Sequence, residues 1–100
     1  MISTRYRFYV GLTDKDQQPV NPENYFHAMD ALVTSYTYFE ASGVWKGVHE
    51  ASLVFELLAT SDADVLTEVG VRAIAKDLRL AGNQETVMVT IDRAVEVLFF

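Results

Sequence analysis

Cysteine is absent from the 100 residues, and that absence excludes disulfides, zinc-thiolate sites, iron–sulfur clusters and thiol nucleophiles together. Proline occurs twice and glycine five times. Neither gathers into a tract that would mark a linker, so one domain spanning residues 1–100 is expected. No apolar run approaches the roughly 18 residues a membrane helix needs. The amino-terminal stretch carries Arg5 and Arg7 inside an alternating pattern and lacks the apolar core of a signal peptide. The expectation is a cytoplasmic protein that does not span a membrane.

Positive charge is scarce. Lys and Arg number 8 against 14 Asp and Glu, for a net charge of −6. Residues 21–60 hold Glu23, Asp30, Glu40, Glu50 and Glu56 against Lys46 alone. A nucleic-acid binder normally shows a basic stripe to neutralise phosphates, so direct nucleic-acid binding is disfavoured, while docking on a basic protein surface is permitted.

Chemical signatures are few as well. There is no Gly-rich phosphate loop, no Gly-x-Ser-x-Gly elbow and no Ser/His/Asp set in linear order. Asp14-Lys-Asp16 opens like a calcium loop but lacks its glycine and closing glutamate. His27 and Asp30 are spaced to share one helical face, yet two ligands do not make a metal site. His49 and Glu50 point to opposite faces of a strand and cannot readily act together. No metal and no cofactor is expected.

What the chain has is hydrophobic residues, half of its length, arranged with clear periods. Tyr6, Phe8, Val10 and Leu12 alternate with Arg5, Arg7, Tyr9 and Gly11, a strand with one apolar face. Asn21 suits a helix N-cap and Pro22 the first turn. Tyr25, Phe26, Met29, Leu32, Val33 and Tyr36 then form the apolar side of a helix, opposite Glu23, Asn24, His27 and Asp30. Residues Thr37–Trp45 and Val48–Ala59 read as strands of a hairpin closed by Lys46-Gly47.

Ser61-Asp-Ala-Asp64 resembles a capping box opening a second helix that stops at Gly82-Asn83. Its apolar arc takes in Leu66, Val69, Gly70, Ala73, Ile74 and Leu78. Thr86–Ile91 and Ala94–Phe100 form one bent strand or two short ones around Asp92-Arg93. The order of elements is that of an α+β, ferredoxin-like split β-α-β sandwich, with an antiparallel sheet and two helices on one face.

Three stretches, Arg5-Tyr-Arg-Phe-Tyr-Val-Gly11, then Gly43-Val-Trp-Lys-Gly47 with Glu50-Ala-Ser-Leu53, and Gln84-Glu-Thr-Val-Met-Val89, resemble the strand–hairpin–strand frame of small bacterial and phage ferredoxin-like families of unknown function. The resemblance covers most of the sheet and little of the helices. It implies the fold and a phage or mobile-element source, and conveys no activity and no catalytic residues.

Two functional classes follow. The leading expectation is a non-enzymatic binding module, a homodimer or a phage-borne inhibitor whose acidic surface blocks a basic, nucleic-acid-binding host protein. Its contacts would be Glu23, Asp30, Glu40, Glu50 and Glu56, with Trp45, Tyr9 and Tyr38 as aromatic anchors on or near the sheet face left open by the helices, where Arg5 and Arg7 of the first strand stand beside Glu50 and Glu56 of the third. The alternative is a small dimeric α+β-barrel-type enzyme or small-molecule binder, with a pocket at the dimer interface and Tyr9, Tyr38, Trp45 and His49 at its rim. Arg7, Glu56 and Asp77 are the side chains to test first for catalysis, Asp77 because it projects into the apolar arc of the second helix, where an unpaired carboxylate is costly.

Overall fold

The computed structural model describes residues 1–100, the side chain of Trp45 excepted. Strand β1 (Ile2–Gly11) is followed by helix α1 (Pro22–Leu32), strands β2 (Thr37–Trp45) and β3 (Val48–Ala59), a 3-10 turn at Asp62–Asp64, helix α2 (Glu68–Ala81) and strand β4 (Met88–Glu96). The sheet is antiparallel throughout, in the order β2-β3-β1-β4. This is the ferredoxin-like α+β arrangement. Both helices cover the face that carries Tyr6, Phe8, Val10, Leu53, Phe55 and Leu57, which with Tyr25, Met29, Ile74 and Leu78 form the core.

Local chemistry accounts for most boundaries. The Asn21 side chain accepts from the Glu23 N–H, and Pro22 occupies the first helical turn of α1. Lys46 and Gly47 both adopt positive φ, 49° and 78°, the backbone of a two-residue hairpin turn matched to the twist of its strands. In the loop after β1, Asp14 Oδ1 accepts from the N–H groups of Asp16 and Gln18, while the Asn83 amide donates to Asp14 Oδ2 and Asp16 Oδ2. These bonds hold the Asp14 carboxyl below its ordinary range, the backbone bond from Gln18 contributing most.

Several elements differ from expectation. Tyr36 and Val33 lie beyond α1, which ends at Leu32; they reach the core from the connecting segment instead. Ser61 Oγ does donate to Asp64 Oδ2 at 2.9 Å, but only a 3-10 turn follows. Helix α2 starts six residues later than Asp62, at Glu68, with the Thr67 side chain as its cap. Its buried residues are Ile74 and Leu78, flanked by Val71 and Ala75, so the apolar stripe is rotated from the expected arc and Asp77 is exposed.

The carboxyl end is one bent strand. Opposite Ser3 and Arg5 the register of β4 shifts from Asp92 to Val95, a bulge at which the Ala94 N–H bonds Asp92 Oδ1. Phe99 and Phe100 lie outside the strand and are both exposed. Gly43 marks neither a bulge nor a close approach, since it pairs in register with Glu50 and, among the described residues, nothing lies within 4 Å of where its side chain would be. No helix of the described residues is long and apolar enough to cross a membrane.

Candidate functional site

The sheet face turned away from the helices is uncovered, and strand alternation decides what stands on it. Arg7 lies opposite Glu56, Tyr9 opposite Val54, Phe39 opposite Val54, Thr37 opposite Glu56, and Asp92 opposite Arg5. Val54 is fully buried on this open side, and it stands outside the helix-side core cluster. Its direct neighbours in the ladders, Tyr9 and Phe39, give this face an apolar floor of its own.

Charges border that floor. Arg7 Nε donates to Glu56 Oε1 at 3.0 Å, Arg5 Nε lies 3.6 Å from the same oxygen, and an Arg5 terminal nitrogen lies 3.7 Å from Asp92. The Arg7 guanidinium also sits over the Phe39 ring, 5.6 Å from its centroid. The hydrogen bond that Arg7 donates to Glu56 raises the Arg7 pKa still further. Among the described residues no hydrogen bond is donated to Glu56 Oε2. Glu56 also lines a cleft of about 230 Å³ together with Ser35, Tyr36, Thr37 and Leu58.

A second cleft of about 430 Å³ adjoins the first, and Ser35 and Leu58 line both. It runs between residues 32–35 and the end of β3 toward Asp64 and Leu66, with Tyr6 at its base. The Tyr6 hydroxyl accepts from the Leu66 N–H at 3.1 Å. Tyr36, at the other end, donates to Asp30 Oδ1 at 2.6 Å, and that bond pushes its pKa up to about 12. Among the described residues no group of three or more His, Asp or Glu is arranged to hold a metal ion.

The expected site residues are divided by this geometry. Glu50, Glu56 and Tyr9 stand on the open face. Glu23 and Asp30 stand on the exposed side of α1, and Glu40 pairs with Leu53, which puts it on the helix side of β2. Tyr38 corrects the expectation for the open face: it pairs with Phe55 and packs edge-on against Phe26 of α1, with ring centroids 4.7 Å apart. His49, opposite Val44, shares that helix-side parity. The anchor role of the Trp45 side chain lies outside the described residues.

The clefts around Leu58 and Ser35 were not anticipated. Phe39 was missed too, because its partner in the ladder was not assigned and Tyr38 was given its face. The tight Lys46-Gly47 turn contained the answer, since it fixes Val54 opposite Phe39.

Fold and face together define a small ferredoxin-like protein with a charged, partly aromatic open sheet. No protein-family model matches the chain, and no curated protein matches its sequence. Among solved structures it is similar to a phage SAM lyase in complex with S-methyl-5'-thioadenosine, with a TM-score of 0.69 and 21% identity over 91% of this chain and 81% of that one. It is likewise similar to a phage SAM lyase in the apo state, with a TM-score of 0.67 and 22% identity over 96% of this chain and 86% of that one.

These likenesses overturn the leading expectation of a non-enzymatic inhibitor. The structural neighbours are enzymes, and the five acids assigned to one blocking surface are spread over both sides of the sheet. The enzyme alternative fits the findings better.

Proposed function

We propose that this chain is a phage-type enzyme that binds S-adenosylmethionine and cleaves its sulfonium, releasing S-methyl-5'-thioadenosine. The observation that carries the reading is the fold shared over 91% of the chain with a phage SAM lyase in complex with S-methyl-5'-thioadenosine. The cleaved bond joins the sulfonium sulfur to the γ-carbon of the amino-acid fragment; its electron pair returns to sulfur, which leaves as a neutral thioether, while an oxygen of the substrate's own carboxylate bonds to that carbon and closes a five-membered lactone. A leaving group that already carries positive charge asks the protein mainly to orient the substrate and exclude water.

The open face supplies groups for that task. Oε2 of Glu56 and the Phe39 ring suit a sulfonium cation, since carboxylates and aromatic faces both attract one. The terminal nitrogens of Arg7 suit the carboxylate of the amino-acid fragment. Arg7 and Glu56 are thus retained as reaction-site residues, while exposed Asp77 on α2 is dropped.

The clefts of one protomer are shallow, and Phe39, Leu58 and Met88 expose 39%, 42% and 57% of their surfaces on the same face. A second copy of the chain seated on this face, as a homo-oligomer, would exclude water from the site. The test is to incubate the purified protein with S-adenosylmethionine and follow the products by chromatography and mass spectrometry, with light scattering on the same sample. Release of S-methyl-5'-thioadenosine together with the four-carbon amino lactone, by an oligomer, is the expected result. Absence of both turnover and calorimetric binding of either compound would end this reading.

A further inference from the structure

Strand β3 outlasts its neighbour. The last β2–β3 pair is Thr37 with Glu56, whereas β3 continues to Ala59. In an antiparallel ladder, residues alternate in turning both backbone groups to one neighbour and then to the other. The Leu12 N–H bonds the Ala51 carbonyl at 3.0 Å, so odd-numbered β3 residues face β1 and even-numbered ones face β2. The two-residue hairpin agrees, because its closing pair is Trp45 with Val48. Leu58 therefore turns its N–H and C=O toward the β2 side, where β2 is absent.

Among the described residues nothing takes these two groups. Ser35 stands where β2 would supply the next partner, but no backbone hydrogen bond joins residues 33–36 to β3 among the described residues. No side chain bonds Leu58 either. The gap opens where the 230 Å³ and 430 Å³ clefts meet, with Ser35 and Leu58 common to both. One residue's worth of free edge is too short for an added peptide strand, which needs several alternate pairs. It matches the two-point edge of a planar heterocycle.

We infer that the outward N–H and C=O of Leu58 form the adenine subsite, binding the base through N1 and the 6-amino group; this rests on the reading of the chain as a sulfonium-nucleoside enzyme. The backbone N–H donates to N1, and the carbonyl accepts from the amino group. Leu58 and Glu56 lie two residues apart on the same face, roughly 7 Å. A base held at Leu58 thus places the ribose and sulfur near Glu56, with the amino-acid end toward Arg7.

The pattern of donor and acceptor gives a test that needs no mutation. S-methyl-5'-thioadenosine and its 6-oxo (inosine) analogue have nearly the same shape, but the 6-oxo base turns a donor toward the Leu58 N–H and an acceptor toward its carbonyl. Two mismatched hydrogen bonds should weaken binding by about 10- to 100-fold, measured by calorimetry. In a parallel titration followed by two-dimensional amide NMR, the Leu58 resonance should move among the most, with those of 33–36.

Equal affinities for the two nucleosides, or a still Leu58 amide under saturating S-methyl-5'-thioadenosine, would overturn the subsite and leave the enzyme reading standing. Binding of neither nucleoside, with no turnover of S-adenosylmethionine, would overturn both.

Discussion

Arg7 and Glu56 face each other across the β1–β3 ladder, with Arg7 Nε bonded to Glu56 Oε1 at 3.0 Å and Arg5 Nε 3.6 Å from the same oxygen. Both partners are part-exposed, so this cross-strand pair contributes only about 0.2–1 kcal/mol to stability. Under the proposed function its weight lies in fixing one carboxylate oxygen so that the other turns to the sulfonium. Glu56→Gln and Arg7→Met should each unfold in urea within about 1 kcal/mol of the parent, yet lose on the order of 100-fold in kcat/KM for S-adenosylmethionine. A folded Glu56→Gln protein with full turnover would remove Glu56 from the site.

Tyr25 ties the core to the loop that leaves β1. Its buried hydroxyl donates to the Gly11 carbonyl at 2.6 Å, and burial pushes its pKa well up. The same ring packs on Gly82, where a Cβ would run into it. Tyr25→Phe should cost about 1–2 kcal/mol through the unpaired carbonyl, and Gly82→Ala about 1–3 kcal/mol through overpacking. Urea midpoints at unchanged slope would measure both; a neutral Gly82→Ala would mean that the helix end yields more easily than the packing implies.

The contrast between hairpin and helix shows what was legible in the sequence. Period two in β1, the Asn21-Pro22 cap and the Lys46-Gly47 turn each act within a few residues, and each was readable. Helix α2 was read six residues too early because Ser61 does bond Asp64, while the true start is capped by the Thr67 side chain, one residue after the Leu66 N–H that donates to the Tyr6 hydroxyl across the chain. Tyr38 was put on the wrong face although the turn register decides it. The Leu58 gap depends on the difference in length between β2 and β3, which no local pattern encodes. Arg7 and Glu56 were legible as a pair, and their cleft was not.

Tyr36 carries a prediction about pH. Its hydroxyl donates to Asp30, and that bond raises its pKa from the ordinary 10 to about 12. The folded state thus holds the proton more tightly than the unfolded chain does. The resulting stability is fully present below pH 10 and is lost as pH rises toward about 12. Ultraviolet difference titration of Asp30→Asn should show one tyrosine ionising earlier than in the parent, and Tyr36→Phe should lack that transition. An unchanged titration in Asp30→Asn would show that the hydrogen bond does not hold in solution.

Two glycines of the hairpin should respond in opposite ways to the same substitution. Gly47 has a φ of 78° in the turn, whereas Gly43 has ordinary extended backbone, pairs with Glu50 and, among the described residues, has no atom within 4 Å of a would-be Cβ. Alanine at 47 must adopt the left-handed region, at a cost of about 1–2 kcal/mol. At position 43 it meets no neighbour and reduces the freedom of the unfolded chain, so it should be neutral or stabilising by up to about 1 kcal/mol. Because Gly43 borders the open face opposite Glu50, its alanine variant also reports on assembly. Under the proposed assembly, intact stability with a weakened oligomer by light scattering would place the hairpin end inside the contact between copies, whereas an unchanged oligomer would confine that contact to the region around Phe39, Leu58 and Met88.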